Sequence, residues 1–578
     1  MDHPRLDAQE WDIVIVGGGP GGSTTGSMLR LYDPTLKILI LERERFPRDH
    51  IGESQLPPIS FVLHEIGAWD KIEAAGFPVK IGATYTWGRT TDPWIFGFVP
   101  EAEVPKAIER PGKFEGWRQR VAFQVDRAIY DDILLRHAAE LGCVVAQERA
   151  VRQVLRTGDR IDGLELADGA VVRARRYIDA SGAAAVIRRA MDVNVEVPTL
   201  LKNVAFWDYW TNPDWIGVMD NKARQVHIRS LPFGWTWNIR LGPDRVSIGL
   251  VCNAEYYRAS GKKPAELYEE ALDAQPELRA FLAGAAPRGE VEATTDWSFV
   301  VDRTYGENWF LVGECSGFAD PILAAGLTLT QTGARELAYT ILELERGELD
   351  RDWLVTRYDE LQRRRVRQHM RFAEFWYSAN GIFDDIRENC ARIASDAGLR
   401  LTPEEAFRWL SQGGLADDIP GQAGIGGLDV AGVKQIMSRF TGRSAKWTID
   451  GKNVFRLNLA GAEKSTVGLL HKGRIVPVDC WKRGGRTLAK VGIQAHLIEA
   501  MLHASDISEI VARVNATVAA SPNPQPSHLI FSHITQLLEV MANDHWVTCD
   551  VKRKRAVLNV STPEEGQIIY TAPDREAG

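Results

Sequence analysis

A chain of 578 residues, 45% hydrophobic and 25% charged, has the composition of an ordinary globular protein and the length of about two to four domains. Its net charge of −8 gives no basic footprint for nucleic acid, and no apolar run reaches the ~18 residues of a membrane span. Cys143, Cys252, Cys315, Cys390, Cys480 and Cys549 stand singly, without a CxxC pair, so neither a disulfide framework nor a zinc site is indicated and no metal is expected. Met1 to Glu10 is too short and charged for a secretory signal, so the expected location is cytoplasmic, with no membrane partner.

Asp12 to Val16 is predicted as a short buried parallel strand. Gly17-Gly18-Gly19-Pro20-Gly21-Gly22 follows at once, then a helix over Ser23–Leu31 and a second strand over Lys37–Leu41 that ends on Glu42. Strand, GxGxxG, helix, strand and acid together form a dinucleotide-binding βαβ unit. Gly17 makes the tight turn, Gly19 lets a pyrophosphate approach the backbone, and Gly22 lets helix and strand pack closely. The helix N-terminus favours the phosphates, and Glu42 is placed to accept hydrogen bonds from a ribose. Phe46 to Ser54 is a polar loop that brings Glu53 near the same cofactor.

Pro57–Ala68 is predicted helical and Gly82–Gly88 a strand, followed by a loop-rich stretch over residues 89–122. A long helix opens at Gln124-Val125-Asp126-Arg127 and is stopped by Gly142. Ile161–Leu166 and Ala170–Ala174 frame a hairpin turn at Asp168-Gly169, and Tyr177–Gly182 is strand running into turn. Residues 201–300 are strand-rich, with strands over Val204–Tyr209, Gln225–Ile228, Trp235–Arg240 and Arg245–Cys252, then a helix over Ala265–Leu282. They suit a curved antiparallel sheet over a cavity. Trp207, Trp210, Trp215, Trp235 and Trp237 cluster there, as core or as walls for a flat apolar substrate. Trp309–Glu314 reads as a buried strand ending in an acid, Ala324–Arg346 as a long helix stopped by Gly347, and Asp350–Tyr377 as another long helix.

The catalytic body is expected over residues 1–385, with its substrate sheet at about 80–125 and 200–300, and a second, mainly helical domain over 386–578. In the latter, Gly421–Gly427 and Ala520–Pro524 read as linkers. A helix over Ile530–Met541 with strands over Trp546–Cys549 and Arg555–Val560 suggests a winged-helix-like unit. The acidic balance favours packing or partner contact there over DNA binding.

Three motifs follow the fingerprint in order: Arg127 at a helix start, Asp179-Ala180-Ser181-Gly182 at a strand end, and Gly313-Glu314 before a helix. This order resembles the FAD monooxygenases related to p-hydroxybenzoate hydroxylase, from residue 12 to about 345. The resemblance implies an α/β, Rossmann-like FAD domain, with Gly18, Gly21, Arg127, Gly313, Glu314 and Leu327 beside the cofactor. Glu314 stands where that group usually has Asp.

Two further features narrow the likeness. One is Phe46-Pro47-Arg48…Gly52-Glu53-Ser54…Leu56-Pro57 followed by Lys80. The other is Gly234-Trp235-Thr236-Trp237-Asn238-Ile239. Together they resemble the flavin-dependent halogenases, marked by an active-site lysine and Trp-x-Trp-x-Ile-Pro; Arg240 replaces the proline here. The chloramphenicol-pathway type is nearest, and its likeness extends thinly over the C-terminal region.

That resemblance implies that reduced FAD and O2 oxidise chloride or bromide to hypohalous acid. Lys80 then holds the acid or forms a haloamine with it, using a neutral amine that burial favours. Trp235 and Trp237, two apart on a strand, wall the flavin off from the organic substrate. The halide sits at Ala325-Gly326, where helix-start N–H groups are natural anion donors; Ala325 replaces a usual Ser or Thr, so the backbone carries the site. Leu323 replaces a glutamate of tryptophan-specific halogenases, so a phenol, pyrrole or other electron-rich carbon, free or carrier-bound, is the expected substrate. Asp296 matches a position that can carry FAD through an ester. A separate NAD(P)H flavin reductase is the implied partner. An aromatic hydroxylase on the same fold and a flavin-dependent reductase are the alternative readings.

Overall fold

The computed structural model describes residues 6, 10–87, 93–99, 101–105, 107–198, 201–213, 225–295, 297–378, 424–425, 428–431, 434–435, 438, 446–484, 486–521, 526–560 and 568–569. The chain divides into two compact units: Met1–Ala373 with Lys472–Arg474, and Glu374–His471 with Ile475–Gly578. Asp296, Trp215 and most of the Gly421–Gly427 and Ala520–Pro524 segments lie outside the described residues.

The first unit is built on a five-stranded parallel sheet. Its order is Trp309–Leu311, Ala174–Asp179, Trp11–Val16, Ile38–Leu41 and Val144–Ala146. Ile13, Val14, Ile15, Leu39 and Ile40 are fully buried, as continuous apolar strands of a sheet covered on both faces require. Helices Pro20–Tyr32, Arg127–Glu140 and Gly326–Arg346 pack together beside it. Buried Tyr130 donates from its hydroxyl to Gln331 Oε1 at 2.6 Å, and Gln331 Nε2 donates to Thr24 Oγ1 at 3.0 Å, which ties the three helices. Gly142 and Gly347 close two of them at positive φ (102° and 67°), as their placement in the sequence predicts.

The second sheet is mixed. The strands Asn203–Thr211, Arg245–Asn253, Gly234–Arg240 and Gln225–Leu231 are antiparallel, but Gly82–Thr86 joins Gln225–Leu231 in parallel, with Trp94–Gly97 outside it. The strands of residues 201–300 are thus antiparallel as expected, and only Gly82–Thr86 departs from that pattern. Strands far apart in sequence, not joined by a hairpin, are free to pair either way. The Ala265–Leu282 helix is two helices, Pro264–Asp273 and Pro276–Leu282, because Pro276 cannot continue the first. Likewise Pro58–Glu65 and Trp69–Ala74 are separate around Gly67, at φ 79°.

Register sorts this sheet into two faces. Phe206, Trp210, Val246, Ile248 and Leu250 pack on Leu267, Tyr268, Leu272 and Phe281 of the covering helices. The alternate residues carry the aromatic face. Trp207 and Trp237 both stand opposite Gly249, Tyr209 opposite Ser247, and Trp235 opposite Val251.

The second unit contains helices Gly492–His503, Ile507–Ala519 and Ser527–Asn543 around Ile449, Phe455, Leu497, Ile510, Ile534 and Leu538. The strand Val547–Asp550 is present, but Arg555–Val560 forms none; the partner strand is Val454–Leu457. A three-stranded sheet over Glu463–His471, Arg474–Arg483 and Arg486–Ala489 adds more β structure than expected. Buried Lys434 pairs with buried Glu539 at 2.9 Å, and Glu539 also accepts the Thr448 and Ile449 N–H groups. Among the described residues no helix is long and apolar enough to cross a membrane.

Candidate active site

The glycine turn has the geometry that a dinucleotide needs. Gly17 is at φ 107°, and a Cβ there would stand 2.3 Å from the Ala180 carbonyl oxygen. A Cβ on Gly22 would stand 1.9 Å from the Gly17 oxygen, so both positions are closed to any side chain. Gly19 differs: a Cβ there would meet nothing nearer than the Arg48 guanidinium, at 3.5 Å, which leaves the backbone approachable with a cation beside it. Gly19 caps helix Pro20–Tyr32, and no side-chain hydrogen bond caps the helix end. Glu42 accepts from Gly18 N at 2.8 Å and from Glu44 N at 2.9 Å, so its carboxylate holds the turn. A carboxylate has about four acceptor sites, so a ribose hydroxyl can still be accommodated. An open glycine, a free helix N-terminus and a cation fit the pyrophosphate half of FAD.

The loop after the second strand runs from this turn to the aromatic face. Arg127 fixes it: Nε and Nη2 donate to Asp131 (2.8 and 2.9 Å), and Nη1 donates to the Ile51 and Gly52 carbonyls (2.9 and 3.2 Å). Charge interactions of Arg127 with Glu314 and Glu53 place both acids around it. Gly313 opens a short 3-10 turn, Gly313–Ser316, at φ 75°. Glu53 is buried, its Oε1 makes no hydrogen bond, and its carboxyl lies by the Tyr209 and Ser247 hydroxyls. Burial raises its pKa to about 7, against the lowering effect of those hydroxyls and of Arg127 and Arg245.

Lys80 is 1% exposed. Its strand, Val79–Lys80, pairs with Ala122–Phe123, its Nζ donates to the Gln55 carbonyl at 2.9 Å, and it lies 5.3 Å from the Phe98 ring centre. Desolvation lowers its pKa to about 7, so a large share of the amine is neutral near pH 7. Trp87, Trp235 and Trp237 form a buried row, with ring centres 6.5 and 6.0 Å apart. Trp237 Nε1 donates to Ser247 Oγ at 3.1 Å, and its ring occupies the space above Gly249, where a Cβ would be 2.1 Å away. Tyr85 donates to the Ile322 carbonyl at 2.8 Å and so ties this sheet to the turn before Ala325. Ala325 is the N-cap of helix Gly326–Arg346, without a side-chain cap, and Leu327 is buried in its first turn.

The tryptophan halogenase family model matches residues 12–120 and 115–386. The chain belongs to that family. It is 29% identical over 388 residues to the 1H-pyrrole-2-carbonyl-[peptidyl-carrier protein] chlorinase of Pseudomonas fluorescens, covering 65% of this chain and 86% of that one. The myxobacterial chondrochloren halogenase structure, of an FAD-dependent halogenase, matches with TM-score 0.59 at 28% identity, over 68% of this chain and 90% of that one. The flavin-dependent halogenase CmlS has the same fold along 97% of this chain and 99% of its own, with TM-score 0.70 at 21% identity.

The enzyme is therefore a flavin-dependent halogenase that uses FAD and a halide. Its structure brings Glu53, Arg127 and Glu314 together at the loop after the second strand, and holds Lys80 at Gln55, two residues past Glu53 along the same loop. Trp235 and Trp237 share one face, and Ala325-Gly326 lies at a bare helix start. Sequence reasoning did not find Arg48, Tyr209, Ser247, Trp87 or Gly249. Arg48 lay inside a quoted motif and Trp87 inside the predicted Gly82–Gly88 strand, but Gly249 and Ser247 carry no local signal, because cross-strand register alone brings them under Trp237. Among the described residues no cluster of three His, Cys, Asp or Glu could hold a metal.

Proposed function

We propose that this halogenase transfers oxidised chloride or bromide through Lys80 to an electron-rich carbon of a phenol or pyrrole. Bound reduced FAD, with O2, supplies the oxidising equivalent that turns halide into hypohalous acid. The glycine turn and Arg48 hold the pyrophosphate of the cofactor, and Glu53, Arg127, Gly313, Glu314 and Leu327 surround its other half. The Ala325-Gly326 N–H groups hold the halide. Trp235 and Trp237 keep the organic substrate apart from the cofactor. The neutral Lys80 amine attacks the halogen of hypohalous acid: the N–X bond forms, the O–X bond breaks, and the oxygen leaves with the amine's proton as water. The ring carbon then takes the halogen, and its displaced proton restores the amine.

The observation that carries this reading is the burial of Lys80 with its pKa at about 7, which keeps a nucleophilic amine available in a dry site. The carrier-bound substrate of the Pseudomonas relative supports a pyrrolic or phenolic group on a carrier protein. A separate NAD(P)H flavin reductase supplies the reduced FAD. Residues 1–385 form the catalytic body and 386–578 an accessory domain. The test is one assay: the protein, a flavin reductase, NADH, FAD and bromide, trapped with an electron-rich phenol. Brominated phenol that disappears in Lys80→Ala is expected; hydroxylated phenol independent of halide would refute the function. Flavin colour retained on denatured protein, and lost in Asp296→Asn, would establish the ester; complete release of flavin would exclude it.

A further inference from the structure

Three segments lie side by side around Lys80. On one edge of the strand Ala122–Phe123, Lys80 stands opposite Ala122. On the other edge Ser54 bridges Gln124, closed by bonds from Gln55 N to the Phe123 carbonyl and from Val125 N to the Glu53 carbonyl. Paired residues, and residues two apart on a strand, project on the same side. Lys80, Ala122, Gln124 and Ser54 therefore share one face, while Gln55 turns away and offers Lys80 its carbonyl.

On that shared face the hydrogen-bonding groups are unused. Gln124 is fully buried, and neither its Nε2 nor its Oε1 makes a hydrogen bond; buried Ser54 Oγ makes none either. Folding does not leave such groups unpaired without cost, so their retention beside Lys80 points to a guest that pairs with them. The same segment reaches the halide end: Leu56 N donates to Thr328 Oγ1 at 3.1 Å, in the first turn of the helix that begins at Gly326.

We propose that Ser54 and Gln124 form the station that holds hypohalous acid against the Lys80 amine. The proposal rests on the Lys80 relay described above and adds what aims the acid at it. Hypohalous acid has one O–H donor and an oxygen acceptor. A carboxamide supplies both complements, and the Ser54 hydroxyl supplies either. Amide nitrogen and hydroxyl oxygen are much poorer nucleophiles toward halogen than an amine, so both groups hold the oxidant without consuming it. The halogen then passes to Lys80, the one strong nucleophile on this face.

The test follows oxidised bromine through a single turnover of the FAD holoenzyme, with a flavin reductase, NADH, O2 and bromide, excess taurine outside and no organic substrate. After rapid gel filtration, thionitrobenzoate titrates bromine retained on protein as haloamine and bromine captured by taurine. Wild type should retain more on protein than Lys80→Met, which sets the baseline. Gln124→Leu and Ser54→Ala should each shift the partition, read as a fraction of total oxidised bromine, toward taurine by about five- to tenfold, the effect of one lost hydrogen bond. Gln124→Leu should also keep or raise the Tm of the FAD-free protein, since it removes an unpaired buried amide; a structural role for that amide would lower it. An unchanged partition in both variants, beside a wild type that loads Lys80, overturns the station alone. No oxidised bromine from wild type overturns the halogenase mechanism itself, and a wild type no better than Lys80→Met overturns the relay with it.

Discussion

Lys80→Met offers the sharpest test of the buried amine, because it separates the stability of the site from its chemistry. Burial lowers the Lys80 pKa from 10.5 to about 7. At about 1.36 kcal/mol per pKa unit, that difference corresponds to roughly 5 kcal/mol. The folded protein holds this proton less tightly than the unfolded chain. Between pH ~7 and ~10.5 the unfolded state therefore binds the extra proton, and stability rises with pH. Below about 7 both states are protonated and the folded state bears the full penalty. Methionine has nearly the same shape and no charge. The variant also leaves the Gln55 carbonyl without its donor, a cost of about 1 kcal/mol that does not depend on pH. At pH 6.5 Lys80→Met should thus be the more stable protein by about 4 kcal/mol, with the order reversed near pH 10.5. Urea-unfolding free energies of both proteins across that range measure it, and other titrating groups cancel in the difference. Parallel curves for wild type and variant would refute a buried, depressed Lys80, and with it the neutral-amine mechanism.

Glu53→Gln should act in the opposite sense. The Glu53 pKa is raised from 4.5 to about 7 by burial, so the folded state holds that proton more tightly and wild-type stability falls as pH rises from 4.5 to 7. Glutamine should abolish a fall of about 3 kcal/mol, read from unfolding curves over that interval. Gly249→Ala drives a methyl group into the Trp237 ring and should cost about 1–3 kcal/mol, with a changed near-UV circular dichroism and less halogenated product. Gly22→Ala places its methyl against the Gly17 carbonyl and should weaken FAD binding at least about tenfold by fluorescence titration, because the phosphate turn must open.

The nucleotide half was legible because its physics is local. A tight turn, a helix start and a buried strand are each written in consecutive residues, from Trp11 to Glu42. Helix stops at Gly142 and Gly347 were legible for the same reason: a positive φ demands glycine wherever the helix ends. Lys80 and the tryptophan pair were found through their motif frame, since nothing in the immediate sequence distinguishes a buried lysine from a solvated one. The wing strand expected at Arg555–Val560 failed because a short alternating run forms a strand only if a partner edge is available, and Val454–Leu457 holds that edge.

The sequence by itself determined the cofactor class and the parallel sheet around it, and it named Lys80 and the tryptophan pair as the proposed nucleophile and wall. Only the tertiary structure decided how they meet. Gly249 lies under Trp237, and Tyr209 and Ser247 meet Glu53, because three antiparallel strands fix one register. Ser54, Gln124 and Lys80 face the same way because two short ladders share one strand. The low Lys80 pKa has the same origin: it depends on water being excluded by segments such as those of Gln55 and Ala122, 25 and 42 residues away in the chain, and desolvation is a property of the packed fold rather than of the lysine.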